Sequence, residues 1–303
     1  MALTKSSLAL FALRITGKLS LKAAQRVGRL LGTLSWWLPT RSRKVTTINI
    51  DLSFPELTET ERQRLVRSSL RHTGQTFLEI PLMWEWPVED CLALIQEVEG
   101  LELIDSALAE GRGVVLLAPH LGNWELAGIY FSSRYQMAAL YSPPNMPGFE
   151  DYMIRVRERA GSTLVRGDRR GLVRMVSILK SGSIAGILPD QSPHRDSGYA
   201  HGPFFGHKVR TMTLASKLIA RSGAASFTTF AERLKDGRGF RIIIRPTEPG
   251  IDSSDPVEAV TALNQSVEKC VREIPEQYQW EYKRFRHLTP GEPHPYDPGR
   301  VCK

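Results

Sequence analysis

Between residues 111 and 248 the chain carries five short apolar runs separated by stretches of helical periodicity, and that alternation limits the folds open to it. The runs are GRGVVLLAPH, YQMAALYSP, GSIAGILPD, AASFTTFAERL and GFRIIIRPTE, each rich in branched or small apolar residues and bounded by turn formers. Helical spacing fills 124–134, 148–160, 169–181 and 211–222. Strands alternating with helices of this length predict an α/β domain built on a mixed, mostly parallel sheet flanked by helices. Upstream, TETERQRLVRSSLRHTGQTFLEI at 58–80 opens on a threonine cap and predicts a further helix, ended by Pro81.

With 303 residues, 42% of them hydrophobic, one catalytic-sized domain over 45–303 is expected, preceded by an extension over 1–44. Forty Lys and Arg against 32 Asp and Glu leave a formal charge of +8, which favours anionic partners. Nucleic acid is set aside, because aromatic residues do not interleave with basic ones along a strand as a base-stacking platform requires. Cys91, Cys270 and Cys302 are scattered and lack Cys-x-x-Cys spacing, so neither a disulfide framework nor a cysteine zinc site is expected. A reducing, cytosol-facing compartment fits that usage.

In the extension, the apolar run Leu8 to Ile15 is broken by Arg14 and followed by Lys18, Lys22, Arg26 and Arg29, too short and too charged to span a bilayer. Leu19, Ala23, Arg26, Leu30 and Leu34 recur at helical spacing, and Trp36 and Trp37 precede Arg41, Arg43 and Lys44. This pattern predicts an N-terminal amphipathic membrane helix lying on an anionic membrane surface, rings at the lipid interface and cations toward headgroups. A helix packed on its own domain is the alternative.

APHLGNWE, at 118–125, places His120 at the carboxyl end of a predicted strand, where open α/β sheets position their chemistry, and Glu125 in the first turn of the next helix. Five residues apart on one helix they would diverge, so the turn at Gly122 and Asn123 is needed to bring them together. A carboxylate on one imidazole nitrogen would fix the tautomer and leave the other basic. A histidine that merely caps a strand satisfies the same pattern. A metal set of Asp190, His194, His201 and His207 lacks tight spacing, and no Gly-x-Ser-x-Gly elbow is present.

Together with three later segments, HLGNWE resembles the His-x4-Asp/Glu motif of the glycerolipid acyltransferases, and of the bacterial lipid A late acyltransferase family in particular. LPDQS at 188–192 resembles the Pro-Asp block of that family, GPFFG at 202–206 its Phe-Phe-Gly turn and PEQYQWEYKRFR at 275–286 its C-terminal block, in the same order and over nearly the whole chain. The resemblance implies a glycerolipid acyltransferase-like fold held on the cytoplasmic face of the cell inner membrane. It implies transfer of a fatty acyl group from acyl carrier protein to a hydroxyl of a lipid A precursor, with His120 as general base and Glu125 orienting it. Neither cofactor nor metal is expected. An acyltransferase acting on another lipid hydroxyl, such as a lysophospholipid or aminolipid, and a noncatalytic membrane-binding protein are the competing readings.

An anionic acceptor calls for arginine, whose planar fork can bond two phosphate oxygens. Alignment to the family from Asp190 lands its functional arginine on Arg159, and Arg170 in RGDRRG is a second candidate. Both sit in runs that can equally be solvated helix faces. Asp190 is expected to hold an arginine or organise the wall of the site. Phe204, Phe205 and the segment 211–224 are candidates for an acyl channel, and Lys283, Arg284 and Arg286 for meeting membrane or carrier protein, while Tyr278, Trp280 and Tyr282 read as packing residues.

Overall fold

Strands without polar alternation need cover on both faces, and VVLL and IAGI obtain it from helices on either side. A computed structural model of the chain describes residues 5–144, 146, 148–193, 197–288, 291, 293–297 and 299–300, with side chains from residue 9 onward. VVLL is β2 (Val114–Leu117) and IAGI is β5 (Ile184–Ile187); every residue of both is buried. With β1 (Ile95–Glu99), β3 (Met137–Tyr141), β4 (Thr163–Arg166), β8 (Ala225–Arg233) and β9 (Phe240–Pro246) they form a seven-stranded sheet ordered β1-β9-β8-β2-β5-β3-β4. Only β8 and β9 pair antiparallel, so the predicted mixed, mostly parallel sheet is what the chain forms. A separate antiparallel hairpin, β6 (Tyr199–Phe204) and β7 (His207–Met212), occupies a stretch to which the sequence assigned no strand, and its end overlaps the start of the helical spacing at 211–222.

The helices are α1 (Lys5–Thr16), α2 (Leu21–Trp37), α3 (Arg41–Ser53), α4 (Glu59–Glu85), α5 (Val88–Leu92), α6 (Leu101–Ala109), α7 (Trp124–Arg134), α8 (Glu150–Glu158), α9 (Arg169–Lys180), α10 (Leu214–Ser222) and α11 (Pro256–Glu273). The predicted start of α4 holds, with Thr58 and Glu61 closing a reciprocal capping box. Its predicted end does not: the helix runs through Pro81 to Glu85. Proline there removes only the N–H that would bond the carbonyl of Phe77, and that residue is exposed, so water can replace the bond. The extra turn carries Met83 and Trp84 to the site described below.

Helix α2 presents its small residues inward. Gly28 and Gly32 face the α4 backbone at Gly74 and Leu70, where a β-carbon would collide with main chain. Leu21, Ala24 and Gln25 share this buried face, whereas Val27, Leu30, Leu31, Leu34, Trp37 and Leu38 are exposed. Thus segment 1–44 contains one helix interlocked with α4 that turns its large apolar side chains outward. Among the described residues no helix is long and apolar enough to cross a membrane.

Candidate active site

Strands β2 and β5 are parallel neighbours with Leu117 opposite Ile187, so the chain leaves both at the same level. Three residues further along each, His120 meets Asp190. The Asp190 carboxylate accepts the His120 backbone N–H at 3.0 Å and contacts Nδ1 at 2.9 Å. With a carboxylate on Nδ1, that nitrogen carries the proton and Nε2 is the basic one. Gln191 donates its amide to Nε2 at 3.2 Å. Burial works against ionising Asp190, but the adjacent imidazole and the hydrogen bonds from His120 hold its carboxyl below the ordinary range. Tyr278 also bonds to Asp190, and burial together with that carboxylate keeps its phenol protonated.

The turn after His120 depends on glycine. Gly122 has φ +62° and packs against the Ala231 carbonyl so closely that a β-carbon would overlap it. Asn123 then caps α7, its side-chain oxygen accepting the Leu126 N–H at 3.0 Å.

Glu125 lies in the first turn of α7, as predicted, yet the carboxylate on the imidazole is Asp190. Glu125 turns the other way, accepting Nε of Arg157 at 3.1 Å, Nη2 of the same residue and the Trp84 indole N–H at 3.0 Å. Trp124 stands beside His120, ring against ring at 4.9 Å. Burial would raise the Glu125 carboxyl, but the Arg157 charge and the hydrogen bonds from Arg157 and Trp84 outweigh it and keep the group ionised.

The arginine of this site is therefore Arg157, two residues before the one selected by alignment. Arg159 is bonded to backbone carbonyls, through Nε to Val156 at 3.1 Å, through Nη2 to Met83 at 2.5 Å and through Nη1 to Trp86. It clamps the end of α4 to α8 and has no fork to offer a phosphate. Arg170 is exposed at the start of α9 and does not join the group around His120. Two residues advance about 200° around a helix, so sequence alone could not say which arginine of RVRERAG turns inward.

An apolar cavity opens at Trp84, Trp124, Glu125 and Arg157 and runs between the sheet and α7, past Gly128, Ala139 and Gly186 to Phe131, Ser132 and Met137. On the other side of Trp124 a more polar cleft contains His120, Thr73, Thr76, Gln279 and Glu281. The apolar cavity replaces the channel suggested at Phe204, Phe205 and 211–224. Both phenylalanines are buried among Phe54, Trp280 and Phe285, and Ala215, Leu218 and Ile219 are packed into the core under the sheet.

The C-terminal block supplies more than packing. Tyr278 supports Asp190, the Tyr282 hydroxyl accepts the Ser192 N–H at 2.9 Å, and Trp280 is buried. Arg284 is buried on the Arg210 carbonyl and Thr211, so it cannot meet a membrane or carrier protein. Among the described residues no group of three His, Cys, Asp or Glu side chains is arranged for a metal; His194 lies outside them. Burial pushes the Cys91 and Cys270 thiols up to about 11, away from thiolate chemistry at neutral pH.

Comparison with known proteins agrees with this arrangement. The family described as "Bacterial lipid A biosynthesis acyltransferase" matches residues 2–287. The lipid A biosynthesis lauroyltransferase of Escherichia coli (strain K12) is 30% identical over 273 residues, 89% of this chain and 88% of that protein. The palmitoleoyltransferase of the same organism is 30% identical over 88% of this chain and 86% of its own length, and the myristoyltransferase 29% over 89% and 82%. A match of this extent, on a chain that brings the His-x4-Glu and Pro-Asp segments together at the carboxyl ends of two adjacent strands, shows that the protein belongs to the bacterial lipid A biosynthesis acyltransferases.

Proposed function

We propose that this protein moves a fatty acyl group from the thioester of acyl carrier protein to a hydroxyl of a lipid A precursor, at the cytoplasmic face of the inner membrane. The observation that carries the reading is the His120–Asp190 pair at the mouth of a polar cleft, separated by one tryptophan from a cavity suited to an alkyl chain. The acceptor hydroxyl displaces Gln191 from His120 Nε2 and gives up its proton to that nitrogen as its oxygen attacks the thioester carbonyl. Asp190 stabilises the resulting imidazolium. The tetrahedral intermediate then breaks its carbon–sulfur bond, and the departing thiolate recovers the proton from Nε2. Glu125, by holding Arg157 through Nε and Nη2, fixes a cation at the mouth of the acyl cavity, where it can face the charge developing on the carbonyl oxygen.

What supports attachment to the membrane surface is the outward face of α2, whose exposed leucines and Trp37 are interspersed with Arg26 and Arg29 and followed by Arg41, Arg43 and Lys44. On this reading lipid covers the apolar patch left open by the Gly28 and Gly32 contact with α4.

The test is to incubate the purified protein with acyl carrier protein donors and either a tetraacylated lipid A precursor or a lysophospholipid, and to read product masses. Transfer to the lipid A precursor in preference to the lysophospholipid is expected. Faster acylation of the lysophospholipid would overturn the assignment.

A further inference from the structure

We infer that Gly128 on α7 and Met137 at the start of β3 set the length of acyl chain that this protein transfers. The inference rests on the acyl-transfer reading above and names the residues that give it chain-length specificity. Trp124, Gly128 and Ser132 follow one another at four-residue intervals on α7 and all line the apolar cavity. They mark successive levels of one wall, about 6 Å apart, so the cavity reaches roughly 12 Å from its mouth at Trp124 to its floor near Ser132.

Halfway down, a β-carbon at Gly128 would meet no atom within 4 Å, so the cavity is continuous there because the helix has no side chain at that point. At the floor the situation is reversed. The Met137 methyl group lies across Gly186, where a β-carbon would collide with it. Ser132 Oγ donates to Met137 Sδ at 3.7 Å, which ties the thioether to the end of α7. A flexible methionine is thus the stop against which the end of an alkyl chain comes to rest. Relatives at 29% and 30% identity are named for lauroyl, palmitoleoyl and myristoyl transfer, so overall similarity does not decide chain length and individual wall residues must.

The experiment measures kcat/KM with one lipid A precursor and acyl carrier protein loaded in turn with octanoyl, decanoyl, lauroyl, myristoyl and palmitoyl chains. Gly128→Leu fills the middle of the cavity from a helix-interior position, where leucine is the better helix former, so the fold should keep its melting temperature. It should shift preference to shorter chains, lowering kcat/KM for the wild type's best donor roughly tenfold or more per excluded methylene. Met137→Ala should extend preference to longer ones. Unchanged preference in both variants, or an equal loss with every donor, would overturn the inference while leaving acyl transfer itself standing. A wild type that uses none of the donors would instead overturn the acyl-transfer reading, and this inference with it.

Discussion

Glu79 and Arg233 are sealed, with side-chain exposures of 0% and 1%, whereas Glu125 and Arg157, at 8% and 30%, open onto the apolar cavity. In the sealed pair Arg233 Nε and Nη2 each reach Glu79 at 2.5 Å, and Gln25 and Asn123 add amide bonds to the same carboxylate at 2.8 and 3.2 Å. His72 accepts from Arg233 Nη1 at 3.1 Å. Asn123 also caps α7, so this cluster joins α2, α4, β8 and the loop that carries His120. The same ion-pair chemistry therefore serves two ends. Saturated with internal hydrogen bonds, it braces the loop that carries His120; left partly open, it presents a cation to whatever enters the cavity.

The largest effect expected is at the proposed base, His120. His120→Ala should lower acyl transfer by about 10² to 10⁴ while the purified variant stays folded. Next come the two glutamates, which should separate cleanly. Glu79→Ala leaves Arg233 buried without its counter-charge, costing ~3–5 kcal/mol and lowering the melting temperature by on the order of 10 °C. Glu125→Ala leaves an arginine that is partly exposed, so stability should fall by less than in Glu79→Ala, while transfer falls roughly 10²-fold. Equal losses of stability in the two variants would erase the distinction between brace and site.

The pH dependence of stability sharpens it further. Burial, followed by the Arg233 charge, holds His72 down at about 3, against 6.5 for a free histidine. Below pH 6.5 the unfolded chain takes up a proton that the fold refuses, so this contribution is complete above 6.5 and is lost as pH falls toward 3. Asp190 and Glu125 also have depressed values, but their contributions begin to fade only near the ordinary carboxylate values of 3.8 and 4.5. Melting curves of wild type and His72→Gln should accordingly diverge first in mildly acid buffer, with the variant less sensitive.

The smallest effect tests the two faces of α2. Gln25 belongs to the sealed cluster and Leu30 to the surface, so Leu30→Glu should leave melting unchanged. It should weaken binding to phosphatidylglycerol-containing vesicles on the order of tenfold in a sedimentation assay. Vesicle binding equal to wild type would remove α2 from the membrane contact.

Much of this was legible because local patterns decide it. The five apolar runs are β2, β3, β5, β8 and β9, and α7 occupies 124–134 as its spacing predicts. The strands that escaped notice lack the signal: β1 and β4 are the two edge strands and are only partly buried, with polar residues such as Glu97 and Arg166, and β6 and β7 mix polar and apolar residues in a hairpin outside the main sheet. His120, Glu125 and Asp190 could be selected from the sequence, but their pairing could not. That β2 lies beside β5 is a property of the sheet, and only that neighbourhood places Asp190 against an imidazole 70 positions away. Arg157 was hidden for a related reason, since RVRERAG offers three arginines and only packing against α4 and the cavity decides which faces inward.

The central claim is that Asp190, and not Glu125, holds the catalytic imidazole. Nitrogen-15 NMR of labelled His120 at neutral pH tests it directly, because the two ring nitrogens differ in shift when only one is protonated. The wild type should show the proton on Nδ1 and a bare Nε2; Asp190→Asn should redistribute it between the nitrogens, and Glu125→Gln should leave it in place. A tautomer that ignores Asp190→Asn but changes with Glu125→Gln would contradict the account.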